Sequence, residues 1–252
     1  MRTFAIFAKY WEKGQVKTRL AKSIGDQNAA RIYFQFLRQS LEIANHIDLP
    51  GIEKVIGFSP NVRRSDFEQL APTWRLIPQT GQDLGSRMKS FFDQLFHTQM
   101  ENKIAAPDSG THEILLIGSD TPLLPPSTIK LAFKALEKNE IVIGPSPDGG
   151  YYLVGAKTQT PLIFDNVNWG SDQVLSQTLR NIHSQGYRYE LLNEHSDVDE
   201  LDDLQRVVHE LTQKKNRSQL ENELLQIVDS VFNETGMLPG KTSRPPLTEE
   251  QP

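Results

Sequence analysis

Three acidic positions in this chain have the surroundings of metal ligands. Asp120 directly follows an apolar run, within the Gly-Ser-Asp-Thr-Pro sequence of residues 118–122, and Asp197 and Asp199 precede a predicted helix. Magnesium takes one or two protein carboxylates and completes its octahedron with phosphate oxygens and water. We therefore predict a metal site at Asp120, with Asp197 or Asp199 as the second ligand. The alternative for Asp120 is an Asx-turn before the proline.

A basic stretch follows the first apolar run. Residues 9–19 contain four cations, and open α/β sheets bind ligands at the carboxyl ends of their strands. The stretch therefore suits a polyphosphate, and the alternative is a solvated basic turn. A Walker A loop is excluded, because Val16 and Trp11 occupy the positions of its glycines. No dinucleotide-binding Gly-X-Gly-X-X-Gly sequence follows this run.

The glycine-containing segment of residues 79–88 offers a second ligand-binding pattern. Gly81 and Gly85 leave room for a planar base, and Arg87 has the geometry to pair with a phosphate or a carboxylate. The alternative is an ordinary loop between a strand and a helix.

Residues 144–155 form a third pattern. Asp148 and Gly149 stand between two apolar runs, which is a strong hairpin signal. The functional interpretation is that Gly149 and Gly150 admit a bulky ligand while Asp148 accepts hydroxyl groups. The two interpretations can hold together.

An α/β fold must carry these positions, because short apolar runs alternate with amphipathic stretches. One predicted helix begins after Asp26 and runs toward His46. A second begins at Ser127 or at the prolines before it, and a third has Ser171 as its N-cap. Two more carry Met88 and Leu220. The predicted strands are residues 3–7, 54–58, 74–77, 114–117, 141–144, 151–154 and 188–192.

The composition narrows the possible functions. The 252 residues carry a net charge of −5, which disfavours a general nucleic-acid binder. Cysteine is absent, which excludes disulfides and thiolate metal sites, and the six histidines form no close ligand pair. Ser119 is not in a Gly-X-Ser-X-Gly elbow, which disfavours α/β-hydrolase chemistry. We expect a soluble cytoplasmic protein with no membrane span, because no signal peptide or long apolar run is found.

The domain organisation is predicted from changes in composition. Residues 1–212 form the main domain, with a polar insertion loop at 98–112. Residues 213–235 form a C-terminal helical extension, suited to docking or to a homodimer contact. Residues 236–252 are rich in proline and predicted to be disordered.

Taken in order, these segments resemble the nucleotide-diphospho-sugar transferase superfamily. They are most similar to the bacterial arsenosugar-biosynthesis-type glycosyltransferases, which are related to molybdopterin-guanine dinucleotide and phospholactate guanylyltransferases. The motifs that carry the resemblance are residues 14–20, 83–88, 118–122, 144–155, 169–171 and 197–199. The resemblance implies a GT-A fold: a Rossmann-like three-layer α/β/α sandwich with a mostly parallel mixed sheet.

The resemblance also implies roles for individual residues. Asp120 would hold Mg²⁺ or Mn²⁺ with Asp197 or Asp199. We predict Asp148 and Lys17 as the catalytic residues, because Asp148 would lie near the acceptor and Lys17 would stabilise the leaving diphosphate. The implied nucleotide-binding residues are Phe7, Ala8, Lys9, Gly14, Lys17, Arg19, Gln79, Gly81, Leu84, Gly85, Arg87 and Ser119. The implied substrate-binding residues are Asp148, Gly149, Gly150, Tyr151, Trp169 and Ser171.

Three functional hypotheses follow. The first is a metal-assisted glycosyltransferase that moves the sugar of a nucleotide-diphospho-sugar to a small-molecule acceptor. The second is a nucleotidyltransferase that condenses an NTP with a phosphorylated small molecule and releases pyrophosphate. The third is a nucleotide-binding protein without turnover.

Overall fold

The computed structural model describes residues 1–47, 49–105, 111–157 and 162–236, and for 98–105 it describes the backbone alone. It divides into two compact units. The first comprises Met1–Tyr10 and Leu37–Asp197, and the second comprises Trp11–Phe36 and the chain from Val198 onward. The predicted tail of residues 236–252 lies almost entirely outside the described residues.

A seven-stranded sheet forms the centre of the first unit, and all seven predicted strands are confirmed. Four of its six strand pairings are parallel, and β6 runs antiparallel to both of its neighbours. The spatial order is β3-β2-β1-β4-β6-β5-β7. The strands are β1 (Arg2–Lys9), β2 (Ile52–Ser59), β3 (Arg75–Pro78), β4 (Glu113–Gly118), β5 (Ile141–Pro145), β6 (Tyr151–Ala156) and β7 (Tyr189–Leu191).

Eight α-helices accompany the sheet in the described chain, which confirms the predicted α/β class with a mostly parallel mixed sheet. A short 3-10 helix, Asn61–Arg63, precedes the third of them. The helices are α1 (Thr18–Ile24), α2 (Asp26–Asn45), α3 (Arg64–Leu70), α4 (Leu84–Ala105), α5 (Pro126–Leu136), α6 (Val174–Ser184), α7 (Leu201–Gln213) and α8 (Gln219–Thr235).

Three helix predictions need correction. The basic stretch of residues 9–19 ends in a helix, because α1 begins directly after Lys17, which adopts left-handed backbone angles. The helix α4 extends to Ala105, into the predicted insertion loop, since no glycine or proline interrupts residues 98–105. Ser171 does not cap α6: its hydroxyl donates to Asn168 O at 2.8 Å, and Gln173 is the N-cap.

The register of the sheet brings several strand ends to one edge. Phe7 of β1 is paired with Gly57 on one side and with Gly118 on the other. The carboxyl ends of β1, β2, β3 and β4 therefore lie side by side. The apolar residues Phe91 and Phe92 of α4 are buried with β-strand residues in one core cluster, so that α4 packs against the sheet.

The second unit is helical. Within it, α1, α7 and α8 contact one another, and Val16, Ala30 and Tyr33 form a small buried cluster with Trp11 packed against it. Ser218 and Glu221 cap the start of α8 reciprocally. No helix among the described residues combines the length and the apolar character needed to cross a membrane.

The ion pair between Glu140 and Arg188 gives the stability of the first unit a pH dependence. The Arg188 guanidinium donates to both carboxylate oxygens, at 2.7 and 3.1 Å, and lowers the pKa of Glu140 from 4.5 to about 2. A lowered folded-state pKa stabilises the fold above pH 4.5, and this contribution is lost as the pH falls toward 2. We expect Arg188→Ala to flatten the pH dependence of the unfolding free energy in this window, measured by urea titration. Equal slopes for both proteins would contradict the assignment.

Candidate functional site

The carboxyl edge of β1, β2 and β3 is fixed by Gln79. Its side-chain amide donates to Gly57 O at 2.7 Å and to Ala8 O at 3.3 Å, while its backbone N–H donates to Phe58 O at 2.8 Å. These bonds set the orientation of the Gln79 side chain. Of the predicted nucleotide-binding residues nearby, Phe7 packs its ring into the core and Ala8 is buried, so only Lys9 exposes its side chain here.

The predicted metal residue Asp197 is bonded to Thr121, the residue that follows Asp120 at the end of β4. Thr121, which is 6% exposed, donates its hydroxyl to Asp197 Oδ1 at 2.8 Å and stands next to Asp120 in the chain. Oδ1 of Asp120 is buried, and Ser119 is buried beside it. Two carboxylates at one strand end fit the donor set of a magnesium ion. No cluster of three or more acidic or histidine side chains suited to a metal was found in the described chain.

Asp199 has a different environment from Asp197. Within the second unit its carboxylate lies 3.0 Å from the Lys17 ammonium and 3.5 Å from an Arg19 guanidinium nitrogen. The Lys17 side chain is only 3% exposed, whereas that of Arg19 is 63% exposed. Asp199 therefore holds two of the predicted phosphate-binding cations, and Asp197 is the better candidate for the second metal ligand. Gly14, also in this unit, has a φ of 74°, which favours glycine.

Residues 81–87 comprise a short loop and the first turn of α4, which the loop closes on. Asp83 accepts from Ser86 N at 2.7 Å, and the Ser86 hydroxyl accepts from Asp83 N at 3.1 Å. The hydrogen bonds that Ser86 donates to the Asp83 carboxylate lower the pKa of Asp83. Gly81 has a φ of 145° and lies against Ser86 and Arg87, whose Nε donates to the Gly81 carbonyl at 3.1 Å. Leu84 is 49% exposed at the start of the helix.

Trp169 links this loop to the predicted substrate side. Its indole covers Gly85 so closely that a Cβ there would lie 2.1 Å from Nε1. On its other side Trp169 meets the Tyr151 ring edge-on, with centroids 6.3 Å apart. Burial raises the pKa of Tyr151, so its hydroxyl stays protonated. The structure thus brings Gly85, Tyr151 and Trp169 into one contact group.

The turn between β5 and β6 confirms the predicted hairpin and gives Gly149 a structural role. Asp148 Oδ1 accepts from the Ser146 hydroxyl at 2.6 Å and from Gly150 N at 3.0 Å. At Gly149, with a φ of 85°, a Cβ would lie 1.9 Å from Asp172 O. The protein's own backbone therefore occupies the space beside Gly149 and accounts for a glycine at this position, while its contact with a ligand stays a prediction. The Asp148 side chain is exposed. Its catalytic role stays a prediction.

The path of residues 192–197, which we call the crossing segment, was not predicted from the sequence. It continues β7 past β5, since Leu192 N donates to Ile143 O at 2.9 Å and His195 N donates to Pro145 O at 3.2 Å. It ends at Asp197, beside β4. Thr121 was also missed, although its place directly after Asp120 is a usable signal.

Comparison with known proteins supports the fold. The family model described as "Uncharacterized protein conserved in bacteria (DUF2064)" matches residues 43–171. No curated protein matches the chain. A solved structure from Desulfovibrio desulfuricans G20, to which nucleotide-diphospho-sugar transferase activity is ascribed, is 29% identical, with a TM-score of 0.76. The match covers 93% of this chain and 97% of that one.

A nucleotidyl transferase from Methanothermobacter shares the fold at a greater distance. It is 14% identical with a TM-score of 0.54, over 85% of this chain and 99% of that one. The predicted nucleotide-diphospho-sugar transferase fold is confirmed by these likenesses. The narrower assignment to the arsenosugar-biosynthesis-type family stays a prediction.

Proposed function

Since the chain belongs to the bacterial family DUF2064, described as uncharacterized, we propose its function from the site itself: a metal-assisted glycosyltransferase that uses a nucleotide-diphospho-sugar. One observation carries the proposal: Thr121, the residue after Asp120 at the carboxyl end of β4, donates its hydroxyl to Asp197. Ligands of open α/β sheets bind at this edge. The likeness to the Desulfovibrio protein, at 29% identity, supports the same donor class.

In this proposal Asp120 and Asp197 hold Mg²⁺ or Mn²⁺. When bound, the cation supplies positive charge to the diphosphate that leaves the sugar. Thr121 fixes one oxygen of Asp197 and so limits the directions from which that carboxylate can bind. Asp199 is not needed as a ligand, because it already pairs with Lys17 and Arg19.

The nucleotide is proposed to bind along the same edge of the first unit. Gln79, with its amide orientation fixed by two backbone carbonyls, and the 81–87 loop would border the base. Lys9 and Ser119 lie at the ends of β1 and β4, toward the phosphates. For the second unit we make a separate proposal: its basic stretch, with Gly14, Lys17 and Arg19, binds phosphate groups.

The sugar and the acceptor are proposed to lie near the hairpin turn. Asp148 has one oxygen engaged by Ser146 and Gly150, which orients the carboxylate while leaving Oδ2 for a hydroxyl group. This geometry suits a group that accepts a proton from an acceptor hydroxyl. Tyr151 and Trp169, whose rings meet edge-on, would supply an apolar wall for the sugar, and Ser171 remains a predicted substrate contact.

The second candidate is nucleotidyl transfer from an NTP. The observation that favours it is the pair of cations on Asp199, because two positive side chains held by one carboxylate keep a net positive charge suited to a triphosphate. In that reaction pyrophosphate, and not a nucleoside diphosphate, would leave.

Product analysis tests the proposal. The protein is incubated with Mn²⁺ and a panel of nucleotide-diphospho-sugars, and in parallel with each NTP and sugar phosphates. Nucleoside diphosphate released from a sugar nucleotide supports glycosyl transfer, whereas pyrophosphate that requires an NTP supports the second candidate. Nucleotide binding by thermal shift without any product would support a binding protein without turnover. A protein that shows no Mn²⁺-dependent shift with any nucleotide would contradict the metal site itself.

A further inference from the structure

The crossing segment has one strong support from the sheet, the side chain of Tyr152. Tyr152 is 3% exposed, and its ring lies so close to Gly144 that a Cβ there would be 2.3 Å from Cζ. Its hydroxyl donates to Asn193 O at 3.0 Å. Its ring also meets the His195 ring edge-on, with centroids 5.1 Å apart. Both contacts fall on the residues that lead to Asp197.

The Tyr152 hydroxyl is a permanent donor. Burial raises the pKa of Tyr152 to about 12, so the phenol stays protonated at neutral pH. The bond to Asn193 therefore persists under the conditions in which a nucleotide would bind. At the end of the crossing segment, the Asp197 carboxylate accepts a hydrogen bond from the Thr121 hydroxyl.

We propose that Tyr152 is a positioning residue for the metal ligand Asp197. Its hydroxyl and ring fix residues 193 and 195, and this holds the Asp197 carboxylate in its bond to Thr121, the residue that follows Asp120. The inference rests on the proposed function, because it assumes that Asp197 holds a divalent cation. Groups that orient metal ligands typically change metal affinity by about 10–100-fold when mutated.

The Mn²⁺ affinity of Tyr152→Phe tests this role. Phenylalanine keeps the ring on Gly144 and against His195 and removes the bond to Asn193. Tyr189→Phe is the matched control, since the Tyr189 hydroxyl bonds to His183, away from the crossing segment. Titration with Mn²⁺ alone, followed by the electron paramagnetic resonance signal of the free ion, is expected to show about tenfold weaker binding for Tyr152→Phe. Tyr189→Phe should match the wild type.

The outcomes separate the inference from the proposed function. If the wild type binds Mn²⁺ and Tyr152→Phe binds it equally well, the positioning role is overturned and the metal site stands. If the wild type does not bind Mn²⁺, both fail together. If Tyr152→Phe does not fold, His195→Ala is titrated in the same way, and unchanged affinity in that variant would overturn the role.

Discussion

Asp120→Asn is expected to lower Mn²⁺ affinity about 100-fold and to abolish any Mn²⁺-dependent stabilisation by nucleotides. Asparagine keeps the shape of the side chain but removes the negative charge, and Mg²⁺ and Mn²⁺ sites of this kind depend on one or two carboxylates. The buried Oδ1 of Asp120 makes solvent a poor substitute for the lost charge. Transfer activity should fall by at least a similar factor, because the cation neutralises the leaving diphosphate.

Asp165→Asn is the matched control for this prediction. It removes the same charge from a carboxylate in the same unit, one that is paired at 2.9 Å with Lys89 on the surface. Its Mn²⁺ affinity should equal that of the wild type, since exposed ion pairs contribute little. Equal Mn²⁺ binding by Asp120→Asn and Asp165→Asn would show that the metal site lies elsewhere.

Gly149→Ala is expected to destabilise the protein by about 3 kcal/mol, a large effect for a single methyl group. Two costs add at this position. The φ of 85° disfavours any side chain, and the new Cβ would meet the carbonyl of Asp172 at 1.9 Å. The hairpin would have to move away from the start of α6, which weakens the bond from Leu175 N to Gly149 O. Thermal unfolding is expected to shift down by about 6–12 °C.

Gly186→Ala separates the two costs. Gly186 has a φ of 69°, but a Cβ there would meet nothing within 4 Å. It should therefore cost only about 1–2 kcal/mol, the conformational part alone. If the two alanine variants unfold at the same temperature, contact with Asp172 is not what requires glycine at position 149.

The strands could be predicted because each is a short apolar run between polar turn residues. This pattern depends only on residues that are neighbours in the sequence. The same is true of Asp120, which follows β4 directly. The bond between Thr121 and Asp197 joins residues 76 positions apart, and no periodicity in residues 192–197 indicates where that stretch runs. Gly149 shows the same limit: the sequence marks a turn, but only the tertiary structure shows that Asp172 occupies the adjacent space.

The choice between Asp197 and Asp199 as the second metal ligand could not be predicted from the sequence. The two are separated by one residue, and carboxylate chemistry alone cannot distinguish them as ligands. Their partners do, because one meets a threonine hydroxyl and the other meets a buried lysine.

Because of the crossing segment, amide exchange in the outermost strand β7 should respond to ligand binding at Asp197. β7 has three residues and pairs with β5 alone in the described sheet, so few bonds protect its amides from exchange with solvent. Since its chain continues directly to Asp197, any ligand that immobilises Asp197 also removes freedom from β7. Occupancy at the end of the central strand β4 and slower amide exchange in the border strand β7 are then expected to follow one equilibrium.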